Sequence, residues 1–232
     1  MRHQCIDFSV NENTGIIKMT RPDKLNPLDI YAGDEINEVL DIIAGDRTIR
    51  SVIITGTGRA FSAGGDIRGM LESVENGTPD SFMDKLTDSL YSIALKLRKL
   101  RVPVIAAVNG LAVGAGMNLA LSCDLIIASE KASFSQGFSR LGLIPGFGGT
   151  YLLANQLPWQ KAAEIAFLSG NINAEEMRAL GFVNRVVPHD TLESEAFSLA
   201  GKLNRGPSLA YARTKALFLR AVGSGFESHL HE

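Results

Sequence analysis

The chain has 232 residues, 45% of them hydrophobic and 21% charged, enough for one α/β domain with a sizeable core. Its 23 basic and 25 acidic residues give a formal charge of −2 with no basic block, which argues against nucleic acid as a partner and against electrostatic docking on a membrane. No apolar run approaches the length of a membrane span, MRHQCIDFSV lacks the apolar region of a secretory signal, and Cys5 and Cys123 stand far apart in apolar contexts that read as strands. A cytoplasmic protein with two reduced, buried thiols is expected.

CIDFSV and GIIKMT, joined by the polar residues 11–14 and Gly15, read as a β-hairpin. The two prolines of RPDKLNPLD make a loop, in which Lys24 reads by itself as a solvated lysine. Ile36, Val39, Leu40 and Ile43 then mark one face of a helix. Residues 49–55 form the clearest core strand. The glycines that follow lack the third glycine of a dinucleotide fingerprint, since Phe61 stands in its place. Gly64 and Gly65 leave accessible amides just before Asp66, which reads as a helix cap. Phe82, Leu86, Leu90, Ile93, Leu97 and Leu100 recur at helical spacing within 80–101.

The chain is organised around residues 104–124, VIAAVNGLAVGAGMNLALSCD, a strand broken by Gly110, Gly114 and Gly116 before a short helix. The Ala115 and Gly116 N–H groups fall at a helix start, where amides lack intrahelical partners and negative charge is favoured. The glycines could equally serve only a tight strand-to-helix crossing. LIIAS is a further strand, opened by Asp124. Residues 132–153 form a glycine-containing wall in which Pro145 interrupts any helix. Lys161 to Ser169 reads as a helix stopped by Gly170. Asn173 with Glu176 caps another that Gly181 ends, Asp190 with Glu193 repeats the cap, and Pro207 opens the last helix. Strands alternating with helices, without repeats or linkers, point to one α/β fold. Two amides converging from the turns at Gly64–Asp66 and Gly114–Gly116 would make an oxyanion hole.

Four stretches carry a resemblance: AFSAGGDI (60–67), PVIAAVNGLAVGAGMNLALSCDLIIAS (103–129), FSQGFSRLGLIPGFGGT (134–150) and AEEMRALGFVNRVVP (174–188). In order and spacing they are similar to the signatures of the enoyl-CoA hydratase/isomerase, or crotonase, superfamily, over essentially the whole chain. The resemblance implies a crotonase-like spiral of ββα units with a small perpendicular sheet. It implies a core over 1–187 and a C-terminal helical region over 188–232 for assembly as a homotrimer or hexamer, shorter than the family's, which continues into a segment closing the acyl pocket. An acyl-CoA thioester is the implied substrate, with no cofactor beyond its CoA. Gly65 and Ala115 match the family's oxyanion-hole amides. Ala63, Asp66, Ile67 and Arg68 fall where the family lines the CoA channel, Lys24 and Leu25 match the loop over the nucleotide, and Phe138 falls in the acyl region.

The acids of the family are replaced. Its hydratases flank a water with two glutamates, at positions that are Asn118 and Phe138 here, and a related isomerase group has one acid where Gly146 stands. Neither Asn118 nor Phe138 transfers a proton at neutral pH, although Asn118 could hydrogen-bond a water or a substrate carbonyl. Asp66, Asp124, Asp80 and Asp84 remain as titratable candidates. Arg140 reads as solvated or as a partner for an acyl carboxylate, and His229 and His231 as a chain-end tail rather than a metal pair. A hydratase/isomerase-type enzyme and a non-catalytic acyl-CoA-binding scaffold are both compatible with this pattern. A serine peptidase using Ser62 or Ser135 would need a partnered histidine.

Overall fold

The computed structural model describes residues 3–222. Strands β1 (Ile6–Asn11) and β2 (Thr14–Met19) pair antiparallel around a two-residue turn, Glu12 and Asn13; Gly15, expected in the turn, lies inside β2. Helix α1 (Ile30–Gly45) opens on Asp29, whose side chain accepts the Ala32 N–H at 2.8 Å, and buries Ile36, Val39, Leu40 and Ile43 as the spacing predicts.

The chain then alternates between two sheets. It runs through β3 (Ser51–Gly56) and β4 (Ala60–Ser62), helices α2 (Ile67–Glu75) and α3 (Pro79–Lys99), then β5 (Val104–Val108), β6 (Leu111–Val113) and α4 (Ala115–Ser122). Next come β7 (Leu125–Ser129), β8 (Ser133–Ser135), α5 (Gly149–Gln156), α6 (Trp159–Leu168), β9 (Ile172–Asn173), α7 (Ala174–Ala179), β10 (Arg185–Val187), α8 (Leu192–Arg205) and α9 (Ser208–Ala221). One sheet has the order β1-β2-β3-β5-β7-β10 and the other β4-β6-β8-β9. From β3 to β8, each first strand of a pair joins the large sheet and each second strand the small one, parallel to the strand before it in that sheet; β9 then pairs antiparallel with β8 and β10 parallel with β7. This is the expected spiral of ββα turns.

Both faces of the large sheet are covered at its central strands β3, β5 and β7, which explains why these read as unbroken apolar runs. Val52, Ile54, Val104, Ala106 and Val108 point into the main core with α1 and α3, whereas Ile53, Ile105, Ala107 and Ile127 alternate to the opposite face. There α8 covers them with Leu192, Ala196 and Ala200. Helix α9 buries none of its own residues and is held by contacts such as Lys215 Nζ to Asp124 Oδ2 at 2.6 Å.

Several expected boundaries shift. Cys123 ends α4 rather than lying in a strand. The left-handed residue after α6 is Ser169 (φ 48°), not Gly170. The Asn173–Glu176 capping box forms, and Gly181 has φ 85°. No second box forms at Asp190 and Glu193, because a 3-10 turn over His189–Thr191 leads into α8 with Thr191 at its cap. Pro207 precedes the first residue of α9.

Candidate active site

The two glycine turns meet because two positions have no room for a side chain. A Cβ on Gly116 would collide with the Ser62 backbone and side chain, so the start of α4 lies directly on β4. A Cβ on Gly64 would stand 2.5 Å from the Val113 carbonyl oxygen and 3.3 Å from the Ala115 nitrogen, and Gly64 has φ 89°. Glycine is required there both for space and for a left-handed backbone. Gly65 and Ala115, the two residues singled out, are thereby brought to the same wall. Among the described residues neither of their N–H groups meets an acceptor. Ala115 is the first residue of α4, where such a donor has no intrahelical partner.

Both residues line a cavity of about 430 Å³. Ala63 and Ile67 belong to the same wall. Met83, Leu86, Thr87, Leu90 and Tyr91 of α3 form a second, and the segment from Gln136 to Phe147 forms the third, as its glycine pattern led us to expect. The lining is mostly apolar, which strengthens any hydrogen bond donated to an anion inside it. A shallower groove of about 560 Å³ between α1 and α3 is crossed by the Lys96–Asp41 ion pair, 2.7 Å, and lies away from both glycine turns.

The other expected site residues divide. Phe138 lines the cavity, and its ring would lie 3.6 Å from a Cβ on Gly114 and 3.8 Å from one on Gly146. Lys24, Leu25, Asp66, Arg68 and Asn118 do not line it. Leu25 accepts the Ala63 N–H at 2.9 Å and Leu28 donates to the Gly64 carbonyl at 2.8 Å, so the loop bearing the exposed Lys24 is stitched to the segment from Ala63 to Gly65. That loop is fixed by Arg21, which donates to both oxygens of Asp29 at 2.6 and 3.0 Å. Burial pushes the Asp29 carboxyl up, but the hydrogen bonds from Arg21 and from the Ala32 N–H outweigh it and hold the group below the usual aspartate range.

Asn118 is fully buried and does not line the cavity; its side chain is engaged by protein groups. Its Nδ2 donates to the Gly146 carbonyl at 2.8 Å, and its Oδ1 accepts from Gln136 Nε2 at 2.9 Å. The pair ties α4 to the wall of the cavity, a role invisible in a reading that saw only a missing glutamate. Gln136, which sequence reasoning passed over, lines the cavity and is the other half of this brace.

The remaining acids are placed elsewhere. Asp66 caps α2, accepting the Arg68 N–H at 3.2 Å. Asp124 accepts the Val104 N–H at 2.8 Å and pairs with Lys215; burial depresses the Lys215 pKa more than Asp124 raises it. Asp80 and Asp84 lie on the exposed side of α3. The cavity lining contains no carboxylate, imidazole or thiol among the described residues. Burial pushes Cys5 up to about 11 and Cys123 up to about 12, so neither is a thiolate at neutral pH.

The serine peptidase arrangement is absent among the described residues. Ser62 accepts the Gly64 N–H, Ser135 donates to the Ser169 carbonyl, and both are buried. His189 faces Ser129 at 3.0 Å and His3 faces Glu38 at 3.7 Å. His229 and His231 lie outside the described residues.

The family model described as Enoyl-CoA hydratase/isomerase matches residues 9–230. A probable mitochondrial enoyl-CoA hydratase of Dictyostelium discoideum is 39% identical, over 94% of this chain and 75% of its own length. The 1,2-epoxyphenylacetyl-CoA isomerase of Escherichia coli is 35% identical, over 95% of this chain and 84% of its own. The crystal structure of an enoyl-CoA hydratase from Polaromonas sp. JS666 superposes with a TM-score of 0.93 at 32% identity, covering 97% of this chain and 87% of that one.

Proposed function

The chain belongs to the enoyl-CoA hydratase/isomerase family, and on that premise we propose that it binds an acyl-CoA thioester and stabilises its enolate through the Gly65 and Ala115 amides. The observation that carries this reading is the pair of acceptor-free N–H groups on one wall of an apolar cavity. The thioester oxygen gains negative charge as the enolate forms, so donors fixed in place stabilise the transition state more than the ground state. The Ala63 and Ile67 wall, with the adjoining Lys24, Leu25, Asp66 and Arg68, is the proposed path of the CoA moiety, and Phe138 bounds the acyl group. The reading needs no cofactor beyond CoA.

Hydration by two glutamates is not the proposed reaction. One of the two positions is a buried asparagine engaged with Gln136 and Gly146, and the other is a phenyl ring. The same absence of a lining acid among the described residues favours a second reading, a non-catalytic acyl-CoA-binding oligomer. Mass spectrometry of enoyl- and acyl-CoA thioesters incubated in deuterated water separates the two. Any chemical change in a bound thioester supports the enzyme, and unchanged thioesters alongside saturable binding of butyryl-CoA support the scaffold. Failure of every CoA thioester to bind would end both.

We further propose a homotrimer or hexamer in the cytoplasm, with the region from residue 188 contributing to assembly. Trp159, Phe167 and Leu168 of α6 are 72–74% exposed, and Leu209 and Phe218 of α9 are exposed to a similar degree. Such apolar surface is typical of a buried interface. No described helix is long and apolar enough to cross a membrane. Sedimentation equilibrium checks the stoichiometry, with a monomer as the contrary result.

A further inference from the structure

An enolate held by two amides can be reached by two routes. A base can take the α-proton, or a bond at Cα can break and leave its electron pair to the thioester. The cavity wall is furnished for the second route, since its described lining holds no carboxylate, imidazole or thiol. It does hold one cation, Arg140, exposed at the rim. Arg140 donates from Nη2 to the Ser169 carbonyl at 2.5 Å and forms no ion pair with any described carboxylate. A guanidinium has five N–H donors in a fork that matches a carboxylate, so most of its capacity is open to a ligand. Around it Leu141, Leu143 and Ile144 offer no competing polar group.

Building on the oxyanion reading above, we propose that the substrate is a malonyl-type thioester, an acyl-CoA bearing a carboxylate on Cα, and that Arg140 positions this carboxylate for loss of CO2. The bond between Cα and the carboxylate carbon breaks, and its electron pair becomes the enolate, with charge on the thioester oxygen facing Gly65 and Ala115. Carbon dioxide leaves, and a solvent proton adds to Cα, so one thioester and one proton give one decarboxylated acyl-CoA and one CO2. No base on the protein is required. The apolar wall favours the step because the charge of a localised carboxylate is dispersed as CO2 forms.

The test uses methylmalonyl-CoA, with butyryl-CoA as a carboxylate-free control. The expected result is propionyl-CoA and CO2 in equal amounts. Arg140→Met should lower kcat/KM by about 10- to 100-fold, the loss of one charge-assisted contact, and Arg140→Lys, which keeps the charge, should recover part of it. Absence of CO2 release while butyryl-CoA binds overturns the decarboxylation and leaves the acyl-CoA reading standing; if butyryl-CoA does not bind either, both fall. Exchange of the α-hydrogens of butyryl-CoA in deuterated water would reveal a base acting in the cavity and also overturn it, as would equal turnover by wild type and a folded Arg140→Met.

Discussion

Two walls of one cavity differ in kind. The wall at Gly64–Asp66 and Gly114–Gly116 acts through backbone, and its geometry leaves no room for a Cβ at Gly64 or Gly116. The wall from Gln136 to Phe147 presents side chains to the cavity, and at Gly146 the space is loose: a Cβ there would meet only Phe138, at 3.8 Å. Stabilising an anion needs donors that any residue except proline supplies, so that part depends on close backbone packing. Moving a proton needs a particular side chain, and one substitution removes it without disturbing the fold. The contrast teaches that a pair of acceptor-free backbone donors can be kept beside a wall that carries no acid among the described residues.

The comparison breaks most sharply if the backbone wall loses a donor. Ala115→Pro removes one N–H at a first helical position, where proline is tolerated. Turnover should fall by about 100- to 1000-fold, with circular dichroism checking that the fold is kept. Gly116→Ala forces a methyl against Ser62 and should destabilise the protein by about 1–3 kcal/mol, read from urea unfolding. Asn118→Ala leaves the Gly146 carbonyl and the Gln136 amide of the opposite wall without their partner and should cost about 1–3 kcal/mol in the same assay.

A milder effect comes from the loop beside the backbone wall. The Asp29 carboxyl is held below its ordinary range in the folded chain, so its contribution to stability is fully present above the usual aspartate pKa and is lost as pH falls through the depressed value. Asp29→Asn should therefore flatten the acid limb of a stability-versus-pH curve, and a limb as steep as wild type would contradict it. The smallest expected signal sharpens the contrast from the other side. Gly146→Asp places a carboxylate facing Phe138 and should introduce slow α-hydrogen exchange in butyryl-CoA, measured by mass spectrometry, without lowering affinity by more than about tenfold, a cost of about 1.4 kcal/mol.

Much of this was legible in the sequence because it was local. Apolar runs marked β3, β5 and β7, the 3.6 period marked α1 and α3, and glycine density marked the amide turns. Asp66 and the Asn173–Glu176 box were readable as caps because their partners lie two or three residues away. What stayed hidden depends on contacts between distant residues. That Gly116 is needed for Ser62, and Gly64 for Val113, follows only from the parallel pairing of β4 with β6. Asn118 looked like a vacated acid position, whereas its partners lie 18 and 28 residues away. Ser169 took the left-handed position that Gly170 suggested, and its side chain and carbonyl are held by Ser139 and Arg140.

The Asn118–Gln136 brace also bears on how the cavity responds to its medium. Both side chains are neutral and neither titrates in the ordinary range, so the link between α4 and the Gly146 segment does not change with proton concentration and is not screened by added salt. A pair of carboxylates in the same place would repel one another and would shift with every change of buffer. The spacing between α4 and the Gly146 segment of the cavity wall is therefore held by a contact that does not depend on ionic conditions.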